Sequence, residues 1–315
     1  MTASRLAFVF PGQGSQSVGM LADLAAAFPV VRRTFAEASE VLGKDLWSLI
    51  SEGPRDALDQ TENTQPAMLA AGVAVWRCWR EQGGALPALM AGHSLGEYSA
   101  LVCADALGFA DAIGLVAARG RLMQTAVPDG QGAMAAVLGL DDDAVRALCT
   151  EQAEGQVLEP VNFNAPGQVV IAGARQAVDR AVLAAKAAGA KRAVLLPVSV
   201  PSHCALMRDA GDRFAELLAA AEVRTPSIQV LHNVTVSPAQ TPAQVRDLLA
   251  RQLYSPVRWV ETVQAIADRG IQVCIEAGPG KILTGLGKRI DKRVETLSVF
   301  DPDGLGQALE GFADA

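Results

Sequence analysis

The stretch Gly92-His93-Ser94-Leu95-Gly96 decides how this sequence is interpreted, because it fits the pattern G-x-S-x-G. In this pattern a serine lies on a sharp turn between a strand and a helix, with its hydroxyl exposed to a cleft. The flanks agree, since residues 88–91 predict a strand and residues 97–103 predict a helix. The glycines are expected to let the backbone turn and approach neighbouring elements closely. The alternative is an ordinary glycine-rich turn, which the flanking elements disfavour.

Composition describes a compact soluble globule. Half of the 315 residues are hydrophobic, 19% are charged, and the formal net charge is −7. Because an acidic chain is a poor general ligand for nucleic acid or anionic membranes, we expect neither as a partner. No apolar run approaches the ~18 residues of a membrane span, and the apolar stretch at residues 6–10 is too short for a signal peptide. We therefore expect a cytoplasmic protein.

Cysteine usage agrees with that compartment. The cysteines are odd in number, scattered and free of C-x-x-C spacing, which fits reduced thiols and neither a disulfide framework nor a zinc site. No metal site is expected. The cysteines are Cys78, Cys103, Cys149, Cys204 and Cys274.

Apolar periodicity predicts a larger α/β domain with a small domain inserted in it. Residues 6–10 predict a buried strand. From residue 132 the predicted order is strand, helix, strand, strand, helix, strand, which is the pattern of a ferredoxin-like unit. The larger domain is expected at 1–127 and 200–315, and the small domain at 128–199. The predicted helices of the first part are residues 21–42, 65–82 and 111–124.

A serine nucleophile needs a base, and the chain offers three histidines. His93 is the neighbour of Ser94, but a turn points neighbours in different directions. His232 ends an apolar strand, where a packed, hydrogen-bonded histidine is expected. His203 lies at a predicted helix start, whose N-terminus disfavours imidazolium and keeps the ring able to accept a proton. A capping or buried role for His203 stays open here, and no carboxylate stands out as a third catalytic group.

Arg119 lies on the apolar face of its predicted helix with Val116, Gly120 and Met123, whereas Arg121 falls on another face. A buried arginine needs an anion. That anion is either a carboxylate of the protein, in a structural ion pair, or a carboxylate of the substrate, which guanidinium geometry suits.

The loop Gly12-Gln13-Gly14 after the first strand is not a nucleotide-binding loop. The third glycine of G-x-G-x-x-G would fall on Ser17, and no Gly-Lys-Ser/Thr follows. Its backbone N–H groups are instead expected to face the nucleophile.

Seven motifs together resemble the malonyl-CoA:acyl carrier protein transacylases of fatty-acid synthesis and the acyltransferase domains of polyketide synthases. The resemblance runs from Phe8 to about Ile290, nearly the whole chain. The motifs are FPGQGSQ at 10–16, GHSLGEYSA at 92–100, RGRLMQ at 119–124, NFNAPGQVVIAG at 162–173, VPSHCALM at 200–207, QLYSPVRW at 252–259 and EAGPGKILTGL at 276–286.

The resemblance implies roles for the matching residues. Ser94 would be the nucleophile and His203 its base, in a Ser–His dyad. The backbone carbonyl of Gln252 would orient His203, which accounts for the missing acid. The implied fold is an α/β-hydrolase-like core with a parallel sheet and a ferredoxin-like insert.

Four further residues would serve the substrate. Arg119 would hold the free carboxylate of the malonyl group. The backbone N–H groups of Gln13 and Leu95 would form the oxyanion hole, and Asn162 would lie near the substrate.

The implied reaction moves a malonyl group from malonyl-CoA to the phosphopantetheine thiol of acyl carrier protein, through an ester on Ser94 and without a cofactor. Because no ketosynthase is attached, we expect the chain to supply fatty-acid synthesis. Carrier proteins are acidic, so two basic clusters are candidate docking surfaces, although a solvated charged surface is the alternative for each. They are Lys281, Lys288, Arg289, Lys292 and Arg293, and Lys186, Lys191 and Arg192.

Two other functions fit part of the pattern. A serine esterase or thioesterase would share the G-x-S-x-G turn, but Arg119 and the absent acid argue against it. A non-catalytic module that binds carrier proteins would not need both Ser94 and His203.

Overall fold

Two separate sheets organise the computed structural model, which describes residues 5–198 and 200–312. A five-stranded sheet has the order β7-β2-β1-β8-β9, and a four-stranded sheet has the order β4-β5-β3-β6. The strands are β1 (Leu6–Phe10), β2 (Leu89–Gly92), β3 (Gly132–Leu138), β4 (Leu158–Ala165), β5 (Gln168–Ala174), β6 (Arg192–Leu195), β7 (Gln229–Leu231), β8 (Val273–Ala277) and β9 (Glu295–Val299).

Helices cover both faces of the larger sheet and one face of the smaller one. The described helices are α1 (Ala22–Ala27), α2 (Pro29–Leu42), α3 (Leu46–Glu52), α4 (Arg55–Leu58), α5 (Thr61–Glu81), α6 (Gly96–Cys103), α7 (Phe109–Thr125), α8 (Asp142–Ala153), α9 (Arg175–Ala184), α10 (Arg208–Ala220), α11 (Pro242–Gln252), α12 (Trp259–Asp268), α13 (Ile282–Ile290) and α14 (Pro302–Phe312).

The five-stranded sheet is parallel at every pairing. Its central strand β1 is buried along its whole length, as expected for a sheet covered on both faces. Phe8 packs edge-on against Trp76 and Trp79 of α5 on one face. Ala7 and Val9 face the cluster that includes Trp259 of α12 on the other. The predicted α/β core with a parallel sheet is therefore confirmed.

The four-stranded sheet is antiparallel and confirms the predicted ferredoxin-like unit. The chain order is β3-α8-β4-β5-α9-β6, with β5 between β3 and β4 and with β6 at one edge. Helices α8 and α9 cover one face with apolar side chains. The boundaries of the two domains stay a prediction. Residues 1–4, 199 and 313–315 of the predicted domains lie outside the described residues.

One predicted helix is divided in two. The single helix expected at 21–42 is broken at Phe28, which adopts an extended conformation before Pro29. A proline ring clashes with a helical residue that precedes it, so α1 ends and α2 begins there.

The site is positioned by the carboxyl ends of neighbouring parallel strands, where ligands of open α/β sheets bind. The loop with Gln13 follows β1, and the turn with Ser94 follows β2. Two glycines let these segments pack closely. A Cβ atom on Gly92 would lie 1.9 Å from the carbonyl carbon of Gly96, and one on Gly96 would lie 2.0 Å from the carbonyl oxygen of Phe10.

We expect Gly92→Ala to destabilise the fold by about 3 kcal/mol or more, at or above the upper end of the range typical of overpacking, because backbone atoms cannot yield as a side chain can. Gly114→Ala is the matched control. Gly114 lies inside α7 with nothing within 4 Å of an added Cβ. That variant should gain about 0.5–1 kcal/mol, since alanine has the better helix propensity. Urea unfolding measures both, and an equal effect of the two substitutions would contradict the packing argument.

Candidate active site

The turn after β2 holds Ser94 in a left-handed conformation, with φ 50°. A non-glycine residue in this region is uncommon and needs support from its surroundings. Asn233 gives that support: its Oδ1 accepts from the Ser94 N–H at 2.8 Å, and its Nδ2 donates to the Gly92 carbonyl at 2.6 Å. Gly92 and Gly96 do not have positive φ, so the residue that makes the sharp turn is Ser94 itself. The two glycines instead allow neighbouring backbone segments to pack closely.

Ser94 and His203 are in direct contact. The Ser94 Oγ and His203 Nε2 atoms are 2.7 Å apart, although 109 residues separate them in sequence. On the other side of the ring, Nδ1 donates to the backbone carbonyl of Gln252 at 2.8 Å. Because that acceptor is a carbonyl, the proton lies on Nδ1 and Nε2 is left to accept from the serine hydroxyl.

The environment of His203 keeps its ring neutral. Burial, and next the positive charge of Arg119, lower the pKa of His203 from its ordinary 6.5 to about 3. Its side chain is 3% exposed, and its backbone is left-handed with φ 68°. A neutral imidazole that faces a serine hydroxyl has the protonation state a general base requires.

Arg119 of α7 points at the nucleophile and is fully buried. Its Nη2 donates to Ser94 Oγ at 3.3 Å and to the side-chain oxygen of Gln252 at 3.0 Å. Its Nε makes no hydrogen bond among the described residues, and no salt bridge to it occurs within the same part of the chain. Burial lowers its pKa, while Tyr98 and Glu97 oppose that effect. The sequence left open a structural ion pair between Arg119 and an acidic side chain of the protein. No such ion pair is found among the described residues.

Glu97 is the functional candidate that sequence reasoning missed. It is fully buried in the first turn of α6, and its carboxylate accepts three hydrogen bonds. The donors are His232 Nδ1 at 2.7 Å, the Asn233 N–H at 2.9 Å and Gln252 Nε2 at 2.8 Å. The signal in the sequence was a single acid inside an otherwise apolar helix. A buried carboxylate is costly unless donors surround it.

Gln252 joins these groups through three of its atoms. Its backbone carbonyl holds His203, its side-chain oxygen accepts from Arg119, and its Nε2 donates to Glu97 and to the Ser94 carbonyl at 3.0 Å. Because both partners of Nε2 are acceptors, the amide has only one satisfied orientation, with its oxygen facing the arginine.

A cleft of about 470 Å³ opens above Ser94. Gln13, Leu95, Arg119, Asn162 and His203 all contribute to its wall, so every sequence-predicted residue but Gln252 lines it directly. The N–H groups of Gln13 and Leu95 donate to no protein acceptor within residues 5–198 and 200–312. The buried Oδ1 of Asn162 is likewise without a partner among them.

The other histidines have structural partners. His232 is fully buried against Glu97, as expected for a packed, hydrogen-bonded side chain. His93 bonds through Nε2 with Asn164 Oδ1 at 2.8 Å, and burial lowers its pKa.

All five cysteines are buried, unpaired thiols. Desolvation raises the pKa of Cys204 and of Cys274 to about 12, so neither is a ready nucleophile. Among the described residues, no group of three or more His, Cys, Asp or Glu side chains is arranged to hold a metal ion.

No helix in the described part of the chain combines the length and the apolar character needed to cross a bilayer.

Two arginines of the first basic cluster are already paired within the protein. Arg293 forms salt bridges with Asp291 and Asp268, and Arg289 donates hydrogen bonds to the loop at Pro166 and Gln168.

Known proteins are similar to this chain over nearly their whole length. The chain matches the family model of the acyl transferase domain over residues 7–300. The malonyl CoA-acyl carrier protein transacylase of Salmonella typhimurium is 57% identical over 306 residues, covering 97% of this chain and 99% of that protein.

Solved structures agree. A malonyl-CoA:acyl carrier protein transacylase from Xanthomonas oryzae matches with a TM-score of 0.98 at 52% identity, over 100% of both chains. A malonyl-transacylase in complex with the acyl carrier protein of a type II polyketide synthase matches with a TM-score of 0.97 at 57% identity, over 98% of this chain and 100% of that one. The chain belongs to the acyl transferase family and, within it, to the malonyl-CoA:acyl carrier protein transacylases.

Proposed function

We propose that this chain transfers a malonyl group from malonyl-CoA to the phosphopantetheine thiol of acyl carrier protein, through a malonyl ester on Ser94. The observation that carries the proposal is Arg119, a buried cation without an acidic partner in the described chain, 3.3 Å from the nucleophilic oxygen. Such a cation favours an acyl group that brings its own carboxylate. The relatives' names state the same reaction.

Acylation of the serine follows from the geometry. His203 Nε2 takes the hydroxyl proton while Ser94 Oγ forms a bond to the thioester carbonyl carbon. The carbonyl oxygen becomes an oxyanion, and the donors proposed to hold it are the N–H groups of Gln13 and Leu95, which have no acceptor among the described residues. When the intermediate collapses, the C–S bond breaks, and the imidazolium returns its proton to the departing CoA thiolate.

The second half runs the same steps in reverse. His203 removes the proton from the carrier thiol, the thiolate attacks the malonyl ester, and Ser94 leaves with the proton that the histidine holds. The reaction needs no cofactor, because the dyad and the oxyanion donors provide every proton and charge that it moves. We place it in the cytoplasm, where CoA thioesters and carrier proteins are made.

Fatty-acid synthesis is the pathway we propose for the product. One matched structure pairs a malonyl-transacylase with a polyketide carrier protein. The chemistry at Ser94 is the same for either carrier, so the choice depends on the surface that docks the carrier. Two cations of the first basic cluster support that cluster as the docking surface: Lys288 and Lys292 are exposed and have no ion pair among the residues that the structure describes.

The proposed function is tested by the site of acylation. Incubation with malonyl-CoA, digestion and mass spectrometry should find a malonyl adduct on Ser94, which Ser94→Ala abolishes. Addition of holo-acyl carrier protein should discharge it faster than water does. An adduct on Cys103 or Cys204 with Ser94 unmodified would refute the serine mechanism, and discharge to water alone would make the chain a thioesterase.

The lowered pKa of His203 predicts an unusual pH profile. The neutral ring is the active form, so a pKa of about 3 extends the active range to the acid side. The kcat/KM for acylation should stay level from about pH 8 to about pH 5.5, where a histidine of ordinary pKa, about 6.5, would have lost roughly tenfold. His203→Ala should lower the rate by about 10²–10⁴-fold at every pH. A clear inflection between pH 6 and 7 in the wild type would contradict this.

Arg119 predicts selectivity for malonyl over acetyl groups. A buried arginine that faces a carboxylate is worth about 2–5 kcal/mol against a substrate without the charge. That is roughly 30- to 3,000-fold in kcat/KM between malonyl-CoA and acetyl-CoA, at ~1.4 kcal/mol per decade. Arg119→Ala should lose malonyl transfer and narrow this preference. Arg121→Ala, on the exposed face of α7, should do neither. An unchanged preference in Arg119→Ala would mean that the carboxylate is recognised elsewhere.

A further inference from the structure

The amide of Gln252 separates Arg119 from the buried carboxylate of Glu97. Its Oε1 accepts from Arg119 Nη2 at 3.0 Å, and its Nε2 donates to Glu97 Oε2 at 2.8 Å. None of the three residues is more than 1% exposed. Arg119 and Glu97 are therefore opposite buried charges that are joined through one amide and do not form an ion pair in direct contact.

Glu97 opposes the attraction of Arg119 for an anion in two ways. Its negative charge lies in a space of low dielectric, where charges interact more strongly than in water. It also accepts from the far end of the Gln252 amide, and hydrogen bonds in such a chain strengthen one another. Burial lowers the pKa of Arg119, and Tyr98 and then the charge of Glu97 act against that shift, so the charge of Glu97 is felt at the guanidinium.

Glu97 exerts this influence without touching the cleft. The described residues that line the cleft above Ser94 include Arg119, but neither Glu97 nor Gln252 is among them. Any effect of Glu97 on a bound acyl group therefore passes through the amide of Gln252 and the field of its own charge.

We propose that Glu97 limits how tightly Arg119 holds the carboxylate of the acyl group, and thereby keeps the acyl-enzyme able to give that group up. This inference rests on the proposed function. A carboxylate that is bound equally well before and during transfer stabilises the acyl-enzyme without speeding its discharge. An arginine with no counter-charge would favour a loaded protein that transfers slowly. Glu97 is then a specificity-determining residue that acts through another side chain.

Glu97→Gln removes the charge and keeps the hydrogen bonds. Oε2 accepts from both the Asn233 N–H and Gln252 Nε2, and the amide oxygen of glutamine can do the same. The amide nitrogen would then face His232 Nδ1, which can accept once the ring proton moves to Nε2. Because His232 Nε2 has no partner among the described residues, that move breaks no bond there.

A second pair of variants avoids the buried N–H that this proton shift creates. In His232→Asn, an amide nitrogen near the position of Nδ1 can donate to the Glu97 carboxylate. In Glu97→Gln/His232→Asn, the same amide can turn its oxygen toward the glutamine nitrogen. The two proteins of this pair differ in the charge at position 97 and keep equivalent hydrogen bonds.

The test is the equilibrium of acylation, because an equilibrium does not depend on how fast Ser94 and His203 react. The protein is mixed with malonyl-CoA and free CoA at fixed ratios, and intact-mass spectrometry measures the acylated fraction. Acetyl-CoA is the control donor, since its acyl group has no carboxylate. In Glu97→Gln the equilibrium constant should rise about tenfold for malonyl, or ~1.4 kcal/mol, and stay within about twofold for acetyl. Discharge of the malonyl ester to holo-acyl carrier protein should slow by about tenfold.

The double variant should show the same rise relative to His232→Asn, which keeps the charge and should match the wild type. The inference is overturned if the malonyl constant is unchanged or falls, or if the malonyl and acetyl constants rise together. A purely structural role for Glu97 would slow the approach to equilibrium with both donors and leave both constants unchanged. A wild-type protein that malonyl-CoA does not acylate would instead refute the proposed function.

Discussion

The carboxylate of Glu97 is the interaction on which the site depends. It lies beneath the turn after β2, and its bond to the Asn233 N–H fixes the residue that in turn supports the Ser94 backbone. Its bond to Gln252 Nε2 fixes the amide that holds Arg119. A buried charge is tolerated only while its donors stay in place, because each lost donor leaves several kcal/mol uncompensated. The residues that support the Ser94 turn and hold Arg119 in place, Asn233 and Gln252, are therefore also donors that keep this carboxylate stable.

Much of the fold was predictable because the signals are local. The apolar run at residues 6–10 forms the central strand β1, as predicted. The order of strands and helices predicted from residue 132 onward is found in the ferredoxin-like unit. The interruption at Phe28 was also local, since Pro29 marks it. The G-x-S-x-G pattern predicted the strand, turn and helix around Ser94, but not that the serine rather than a glycine would take the left-handed conformation.

The site was predictable only in part, because its members come from distant segments. Its predicted placement at a helix start favoured His203 over His93 and His232, although a capping or buried role stayed open, and the structure brings His203 to Ser94. The sequence did not predict roles for Glu97 and Asn233. Their hydrogen bond joins residues that are 136 positions apart, and such a long-range contact produces no local sequence pattern. The carbonyl of Gln252 carries no side-chain signature at all, so only the family resemblance pointed to it.

The carbonyl that orients His203 has a consequence for the whole catalytic cycle. A triad would place an anion behind the imidazole, and a malonyl group would bring a second charge of the same sign into a space of low dielectric. Here the orienting group is neutral, so a carboxylate bound at the proposed site, the guanidinium of Arg119, would have no anion behind the imidazole as a rival. The empty site already holds one charge of each sign, because Gln252 bonds both to Arg119 and to the Glu97 carboxylate, so the neutral carbonyl keeps a third charge out of the resting cleft.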